Sequence, residues 1–285
     1  MRVLILKQIK YLLEAFLIYS FYFFFKAFQI ETSSVIGGKL LKFCSCVLKE
    51  NKIMEKNLKN CFPNTTYSYR KKIILSTWEH FGSVIGELSH WHNMGKREFF
   101  DRIKIINPHN MPRSRALIIS GHIGNWELIS KIAREYSINL TLVYRPSNNP
   151  YTDNLINKLR NSYNIPLIPK GAKGVKKILQ ELKNGRVVGM MIDQKMDEGI
   201  SVPFFKKDAM TTTLPATLAL KYKVPIIMSR IIKTGNAKYT AEFCEHLKIT
   251  STDTKFSIMK KINSILEKWI IETPEQWFWF HNRWK

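Results

Sequence analysis

Acidic residues are scarce in this sequence. Across 285 residues, 22 Asp and Glu stand against 45 Lys and Arg, a formal net charge of +23. Such an imbalance favours polyanionic partners: nucleic acid, an anionic bilayer face, a phosphorylated substrate or an acidic carrier protein. The basic residues are spread along the chain without forming blocks, so ordinary lysine-rich surface usage contributes as well. Cysteine is sparse too. Cys44, Cys46, Cys61 and Cys244 form no CxxC pair and no paired zinc half-sites, which argues against a disulfide framework or a structural zinc and for a reducing compartment; no metal and no cofactor is expected. There is no low-complexity tract and no fixed-period repeat, which excludes solenoids and long disordered tails. A clustered basic face with interleaved aromatics, and the helix-turn-helix, RRM and OB signatures, are missing, so a basic nucleic-acid-binding protein is the weaker reading of the charge.

The amino terminus is the exception to this even texture. From Tyr11 to Phe25 the run YLLEAFLIYSFYFFF carries a single charge, Glu14, and is flanked by Lys7, Lys10 and Lys26. A spanning helix needs about 20 mainly apolar residues, and a carboxylate well inside hydrocarbon is costly. The segment therefore lies between a spanning helix and an interfacial one held by Phe, Tyr and Lys. No small-residue cleavage site follows it, which argues against a removed signal peptide. We assign residues 1–30 to a membrane anchor and residues 31–285 to a catalytic domain.

Residues 34–100 carry apolar positions at helical spacing, among them Ile73, Ile74, Trp78, Phe81, Ile85 and Leu88, with a break at Pro63-Asn64. From about residue 103 onward the pattern alternates. Ala116 to Ser120, Leu140 to Tyr144, Pro166 to Ile168, Val187 to Ile192, Pro225 to Ile232 and Tyr239 to Phe243 read as strands. Helical segments lie between them, near residues 125–136, 152–163, 174–183 and 214–222, and a last helix covers 253–271. This order predicts an α/β fold with a mostly parallel central sheet flanked by helices, the active site lying where strands end.

The strand at 116–120 runs into Ser120-Gly-His-Ile-Gly-Asn-Trp-Glu127. Two glycines permit a tight turn, with His122 and Glu127 separated by four residues. On one regular helix these positions diverge by about 140°. They converge only if His122 sits in the turn and Glu127 in the first helical turn. Glu127 then accepts the ring N–H of His122 and fixes its tautomer, leaving the other ring nitrogen free to take a proton from a hydroxyl. No Ser or Cys nucleophile stands beside the pair, so direct attack of an activated substrate hydroxyl on an acyl donor is the simplest chemistry.

These residues carry a resemblance. SGHIGNWE resembles the His-x4-Asp/Glu motif of the glycerolipid acyltransferase superfamily, in the wording of the branch that adds secondary acyl chains to lipid A. Asn57 to Pro63, Tyr144-Arg145-Pro146 with Asn148 to Pro150, Asp193-Gln194, Val202 to Phe205, Thr211 to Ala219, and Pro274 to His281 resemble further blocks of that family in the same order. Asn64, Lys206 and Asn282 depart from it. The resemblance implies an enzyme of the bacterial inner membrane, facing the cytoplasm. It would move a fatty acyl chain from acyl carrier protein to a hydroxyl on a lipid A precursor. His122 carries over as base, Glu127 as its partner, and Arg145 and Asp193 as further active-site residues; Gly121 and Asn125 of the same loop are expected to meet substrate. Another lipid acceptor (a lysophospholipid or a phosphoinositide mannoside) and simple thioester hydrolysis stay open. Lys170, Lys173, Lys176 and Lys177 read as a solvated face, and Trp277, Trp279 and Trp284 as an interfacial belt or as core.

Overall fold

The computed structural model describes residues 2–196 and 198–284. The chain opens with α1 (Arg2–Lys26), followed by α2 (Ile30–Cys44), α3 (Glu50–Cys61), α4 (Tyr67–Trp91) and α5 (Lys96–Arg102). Pro63 lies two residues beyond the end of α3, and Thr66 opens α4 by accepting the Tyr69 N–H. Among the described residues no helix is long and apolar enough to cross a membrane. The spanning alternative for the amino-terminal run is thus not what α1 provides. Its apolar side chains are nevertheless largely bare, with Leu13, Phe16 and Phe23 all about 60–70% exposed.

After α5 come β1 (Ile103–Ile106), β2 (Ala116–Ser120), α6 (Leu128–Glu135), β3 (Leu140–Tyr144), α7 (Pro150–Asn161), β4 (Leu167–Pro169), α8 (Ala172–Lys183) and β5 (Val187–Met191). A hairpin, β6 (Ile200–Phe204) and β7 (Lys207–Thr211), precedes α9 (Leu214–Tyr222), β8 (Ile226–Gly235), β9 (Lys238–His246) and α10 (Lys255–Glu272). Seven strands form one sheet in the order β1-β9-β8-β2-β5-β3-β4. The five from β8 to β4 are mutually parallel, while β9 runs antiparallel to β8 and carries β1 parallel to itself. The α/β architecture read from the sequence is present, with two additions. The four-residue β1 is too short to show a pattern. The β6–β7 hairpin turns on Phe205 and Lys206, both left-handed at φ 53° and 59°, where the sequence offers neither Asn nor Gly as a turn signal.

Strand β2 shows why the sheet is covered on both faces. Leu117 and Ile119 join a core with α10 residues Ile258, Ile262 and Leu266, whereas Ala116 and Ile118 join another with Leu128 and Ile132 of α6. Helix α4 belongs to the same interior, for Ile73, Ile74 and Trp78 are buried in the first of these clusters.

Helix α2 is held to α4 by backbone contact. A Cβ on Gly86 would stand 2.1 Å from the Ser33 carbonyl oxygen, and one on Gly82 would stand 2.2 Å from that of Gly37. The helices approach this closely only because side chains are missing on both sides. Gly86→Ala is therefore expected to lower the thermal midpoint by several degrees, a loss of about 2 kcal/mol or more. Gly235→Ala, where a Cβ meets only the Lys238 side chain at 3.5 Å and beyond, is the control and should leave the midpoint nearly in place.

Candidate active site

Parallel pairing places the chemistry. Strands β2 and β5 are neighbours, with Ser120 opposite Met191. Two residues beyond that pair on each strand stand His122 and Asp193, at the carboxyl edge of the sheet where neighbouring strand ends converge. His122 Nδ1 lies 2.7 Å from Asp193 Oδ1, and the His122 backbone N–H donates to Oδ2 at 2.8 Å. Trp277 Nε1 donates to the same Oδ2 at 2.7 Å. The carboxylate is wholly buried, so these donors stand in for lost water. Burial alone would raise the Asp193 pKa; the His122 imidazole, with help from His281 and Trp277, instead holds it well below the usual carboxylate range. A permanent anion at Oδ1 fixes the proton of His122 on Nδ1. The lone pair is left on Nε2, and the side chain keeps 18% of its surface exposed.

The carboxy-terminal segment braces this loop. Phe278 N–H donates to the His122 carbonyl at 3.0 Å, Gly124 N–H to the Gln276 carbonyl at 2.8 Å, and Ile123 pairs with Trp277 as an antiparallel bridge. Gln276 is fixed in turn by bonds to both backbone groups of Lys233 on β8. Gly124 adopts φ 63°, and a Cβ there would sit 1.9 Å from the Ile231 carbonyl oxygen. Beneath it, His80 of α4 donates from Nε2 to the Gly124 carbonyl at 3.3 Å, and burial lowers its pKa to about 4.

The open side of the imidazole is apolar. Trp126 meets it edge-on at 5.0 Å between centroids and Phe278 at 5.9 Å, and Phe81 of α4 touches both rings. Ile85 and Leu88 continue the Phe81 face of α4 at helical spacing, and Ile85 is 49% exposed. The rings of Trp126, Phe278 and Phe81 thus stand together beside the imidazole. Among the described residues, no three His, Cys, Asp or Glu side chains come together as a metal-ligand group.

The expected partnership of His122 with Glu127 is corrected by the geometry. Helix α6 begins only at Leu128, so the chain from 121 to 127 is loop, and Glu127 turns to α7. Its carboxylate accepts from Arg160 Nε at 3.0 Å, from the Arg160 terminal nitrogen at 2.6 Å and from Trp126 Nε1 at 3.2 Å. Asp193, expected only as a further site residue, occupies the partner's position. Gly121 is buried beneath it, where a Cβ would meet Asp193 and Leu266 at 3.1–3.3 Å. Asn125 is also buried, its N–H bound to the Ile231 carbonyl, so Gly121 and Asn125 shape the loop that carries His122. Arg145 follows β3, separated from β2 by β5; it is exposed and makes no ion pair with described residues. Trp277 and Trp279 are fully buried, which places them in the core and not in an interfacial belt. Trp277, the hydrogen-bond partner of Asp193, is invisible in the sequence as a site residue because only the fold brings it there. An indole N–H needing a buried acceptor is the available signal.

Two outcomes follow. His122→Ala should keep the fold and lose turnover on the order of a thousandfold or more, and Asp193→Asn should approach that loss, because the amide no longer dictates which ring nitrogen bears the proton. Comparable kcat in either variant would remove that residue from the reaction. Acid stability should respond to His80. Between its ordinary value near 6.5 and about 4, the unfolded chain binds a proton that the folded chain refuses, so stability falls as pH drops through that window, by at most about 3 kcal/mol. His90, His92 and His281, also lowered mainly by burial, add the same sign. His80→Gln should flatten the slope of thermal midpoint against pH there, leaving the contributions of His90, His92 and His281, while the Asp193 contribution is lost only below the ordinary carboxylate range.

Comparison with known proteins gives this geometry its context. A 1-acyl-sn-glycerophosphate (LPA) acyltransferase from Thermotoga maritima superposes with a TM-score of 0.41 at 15% identity, over 86% of this chain and 99% of that one. The lipid A biosynthesis palmitoleoyltransferase of Escherichia coli K12 is 24% identical over 246 residues, 83% of this chain and 79% of its own. The lipid A biosynthesis lauroyltransferase of the same organism is 25% identical over 263 residues, 88% and 83% of the two chains. The family model for bacterial lipid A biosynthesis acyltransferases matches residues 5–285, and the protein belongs to that family of acyltransferases.

Proposed function

We propose that the protein transfers a fatty acyl chain from the thioester of acyl carrier protein to a hydroxyl on an acyl chain of a lipid A precursor, with His122 as general base. The observation that carries this reading is the imidazole itself: Nδ1 committed to buried Asp193, Nε2 open, and apolar rings at its edge. Nε2 takes the proton of the acceptor hydroxyl as its oxygen attacks the thioester carbonyl. The tetrahedral intermediate collapses by breaking the C–S bond, and the imidazolium returns the proton to the departing thiolate. Asp193 stabilises that imidazolium throughout without itself accepting the proton. A thioester is already activated, so no covalent enzyme intermediate is required.

The remaining features supply binding. The +23 charge suits an acidic carrier protein and a phosphorylated glycolipid alike. Arg145, exposed and unpaired among described residues, is available to a phosphate. Bare Leu13, Phe16, Leu17 and Phe23 on α1 are suited to the interfacial layer of a bilayer, which would hold the enzyme on the cytoplasmic face of the inner membrane, where its acceptor is dissolved.

The direct test is mass spectrometry of lipid A from cells with and without the enzyme. One acyl chain should be missing without it, and restored by the wild type but not by His122→Ala. Unchanged lipid A in the deletion would refute the acceptor, and thioester turnover without any lipid acceptor would favour hydrolysis. In vitro, KM for the acyl carrier protein should rise several-fold between about 50 and about 300 mM salt while kcat holds, since exposed charges are screened over about 10 Å at 0.1 M. A salt-independent KM would remove electrostatics from donor recognition.

A further inference from the structure

At the elbow between α1 and α2, this strongly basic chain opens a cleft whose charges balance. The cleft encloses about 640 Å³, room for roughly twenty waters, between the end of α1, the first turn of α2, the last turn of α4 and helix α5. Two cations, Lys26 and Arg102, face two anions, Glu31 and Glu98. Arg102 binds Glu31 at 2.5 Å and reaches Glu98 at 3.4 Å, whereas Lys26 has no ion-pair partner among the described residues. His90 donates or accepts at the Phe25 carbonyl and the Ser33 hydroxyl, and burial lowers its pKa, so it adds no charge at neutral pH.

The wall also carries hydrogen-bonding groups with nothing to bind. Ser89 is 2% exposed, and neither its hydroxyl nor the buried Arg102 Nε has a partner among the described residues. Such groups are costly to leave unserved, and the guanidinium N–H requires an acceptor. Gln29, which opens α2, makes no side-chain hydrogen bond to its first turn, so the positive end of that helix is uncovered by its own cap.

We propose that this cleft binds the headgroup of a zwitterionic phospholipid carrying a primary ammonium, a phosphoethanolamine, and so fixes the elbow of α1 in the headgroup layer. The phosphodiester is met by Lys26, the Ser89 hydroxyl and the amino end of α2, and the ammonium by Glu98 and Glu31. The proposal rests on α1 lying in the bilayer interface. Two features select the ligand. A purely anionic headgroup would leave two carboxylates facing it, whereas a zwitterion answers both signs. A quaternary ammonium is held by aromatic faces, yet no Phe, Tyr or Trp lines the cleft among the described residues; carboxylates suit an ammonium that can donate. A third feature favours a lipid over the free headgroup. Phe24 and Phe28, 47% and 39% exposed with ring centroids 5.1 Å apart, flank Lys26 and place an apolar surface beside the charged cleft.

The experiment is cosedimentation of the full-length protein with phosphatidylcholine vesicles, plain or containing one-third phosphatidylethanolamine or phosphatidylglycerol. Salt is held at about 300 mM so that long-range attraction of the basic chain to anionic lipid is screened. Phosphatidylethanolamine should tighten partitioning several-fold over plain vesicles, and more than phosphatidylglycerol does. Lys26→Gln and Glu98→Gln, both at exposed positions, and Ser89→Ala should each remove most of that preference and leave partitioning to plain vesicles unchanged. Lys39→Gln, exposed on α2 outside the cleft, should keep it. Soluble glycerophosphoethanolamine at millimolar concentration should compete the preference away, and glycerophosphocholine should not. Equal partitioning to all three vesicles overturns the proposal. So does a preference that survives both Lys26→Gln and Glu98→Gln, which would trace it to bilayer packing. Loss in Lys26→Gln but not in Glu98→Gln would reveal a plain anion site, and equal competition by glycerophosphocholine a site blind to the ammonium; each refutes the assignment. Binding of glycerophosphoethanolamine without any vesicle preference would make the free headgroup the ligand and refute the lipid. Phe16→Ser/Phe23→Ser should weaken partitioning to every vesicle; unchanged partitioning there would bring down the interfacial placement of α1 instead.

Discussion

A carboxylate without access to water organises this protein. Asp193 remains an anion inside the sheet's carboxyl edge because the His122 ring, the His122 backbone and the Trp277 indole all aim donors at it. Removing one of those donors would leave a buried charge underserved, which is costly in a low dielectric. The requirement runs outward in both directions. Gly121 must lack a Cβ so that the loop can lie against the carboxylate, and Gly124 must be left-handed so that the chain can pass under Ile231. The carboxy-terminal segment must return to the sheet so that Trp277 arrives and Phe278 can bind the His122 carbonyl.

The helices that precede the sheet are part of the same construction. Helix α4 sends His80 to the Gly124 carbonyl and Phe81 to the aromatic wall. It also buries Glu87, whose two oxygens meet Lys233 of β8 and the Tyr239 hydroxyl of β9, each at 2.6 Å. That buried pair fixes α4 against the antiparallel edge of the sheet, and Lys233 is the residue whose backbone Gln276 clamps. The lead-in helices, the sheet edge and the carboxy-terminal segment therefore meet at one network behind the His122 loop, and Phe81 on α4 inherits its position from it.

Much of the fold is legible in the amino-acid pattern. The apolar run Ala116 to Ser120 reads as a strand buried on both faces, and its residues do divide between the two cores. The alternation that follows is local information, carried by side-chain periodicity, and it places β3, β4, β5, β8 and β9 and the helices between them to within a few residues. The β6–β7 hairpin escapes it because Phe205 and Lys206 take left-handed turn positions that Asn and Gly normally announce. The amino-terminal run is legible as a helix with too much apolar surface, while how α1 lies along α4 and α7 depends on partners such as His92 and Asn149, far away in the chain.

The sequence by itself determined the histidine: a strand, two glycines and an imidazole at the turn are neighbours in the chain, and their chemistry is readable there. Which carboxylate completes it was decided only by tertiary structure. Glu127 is close to His122 in the chain and Asp193 is 71 residues away, but parallel strands β2 and β5 run in register and end together, whereas the loop ahead of α6 carries Glu127 to Arg160. Sheet register is a long-range property that depends on which faces are buried, and spacing along the chain does not encode it.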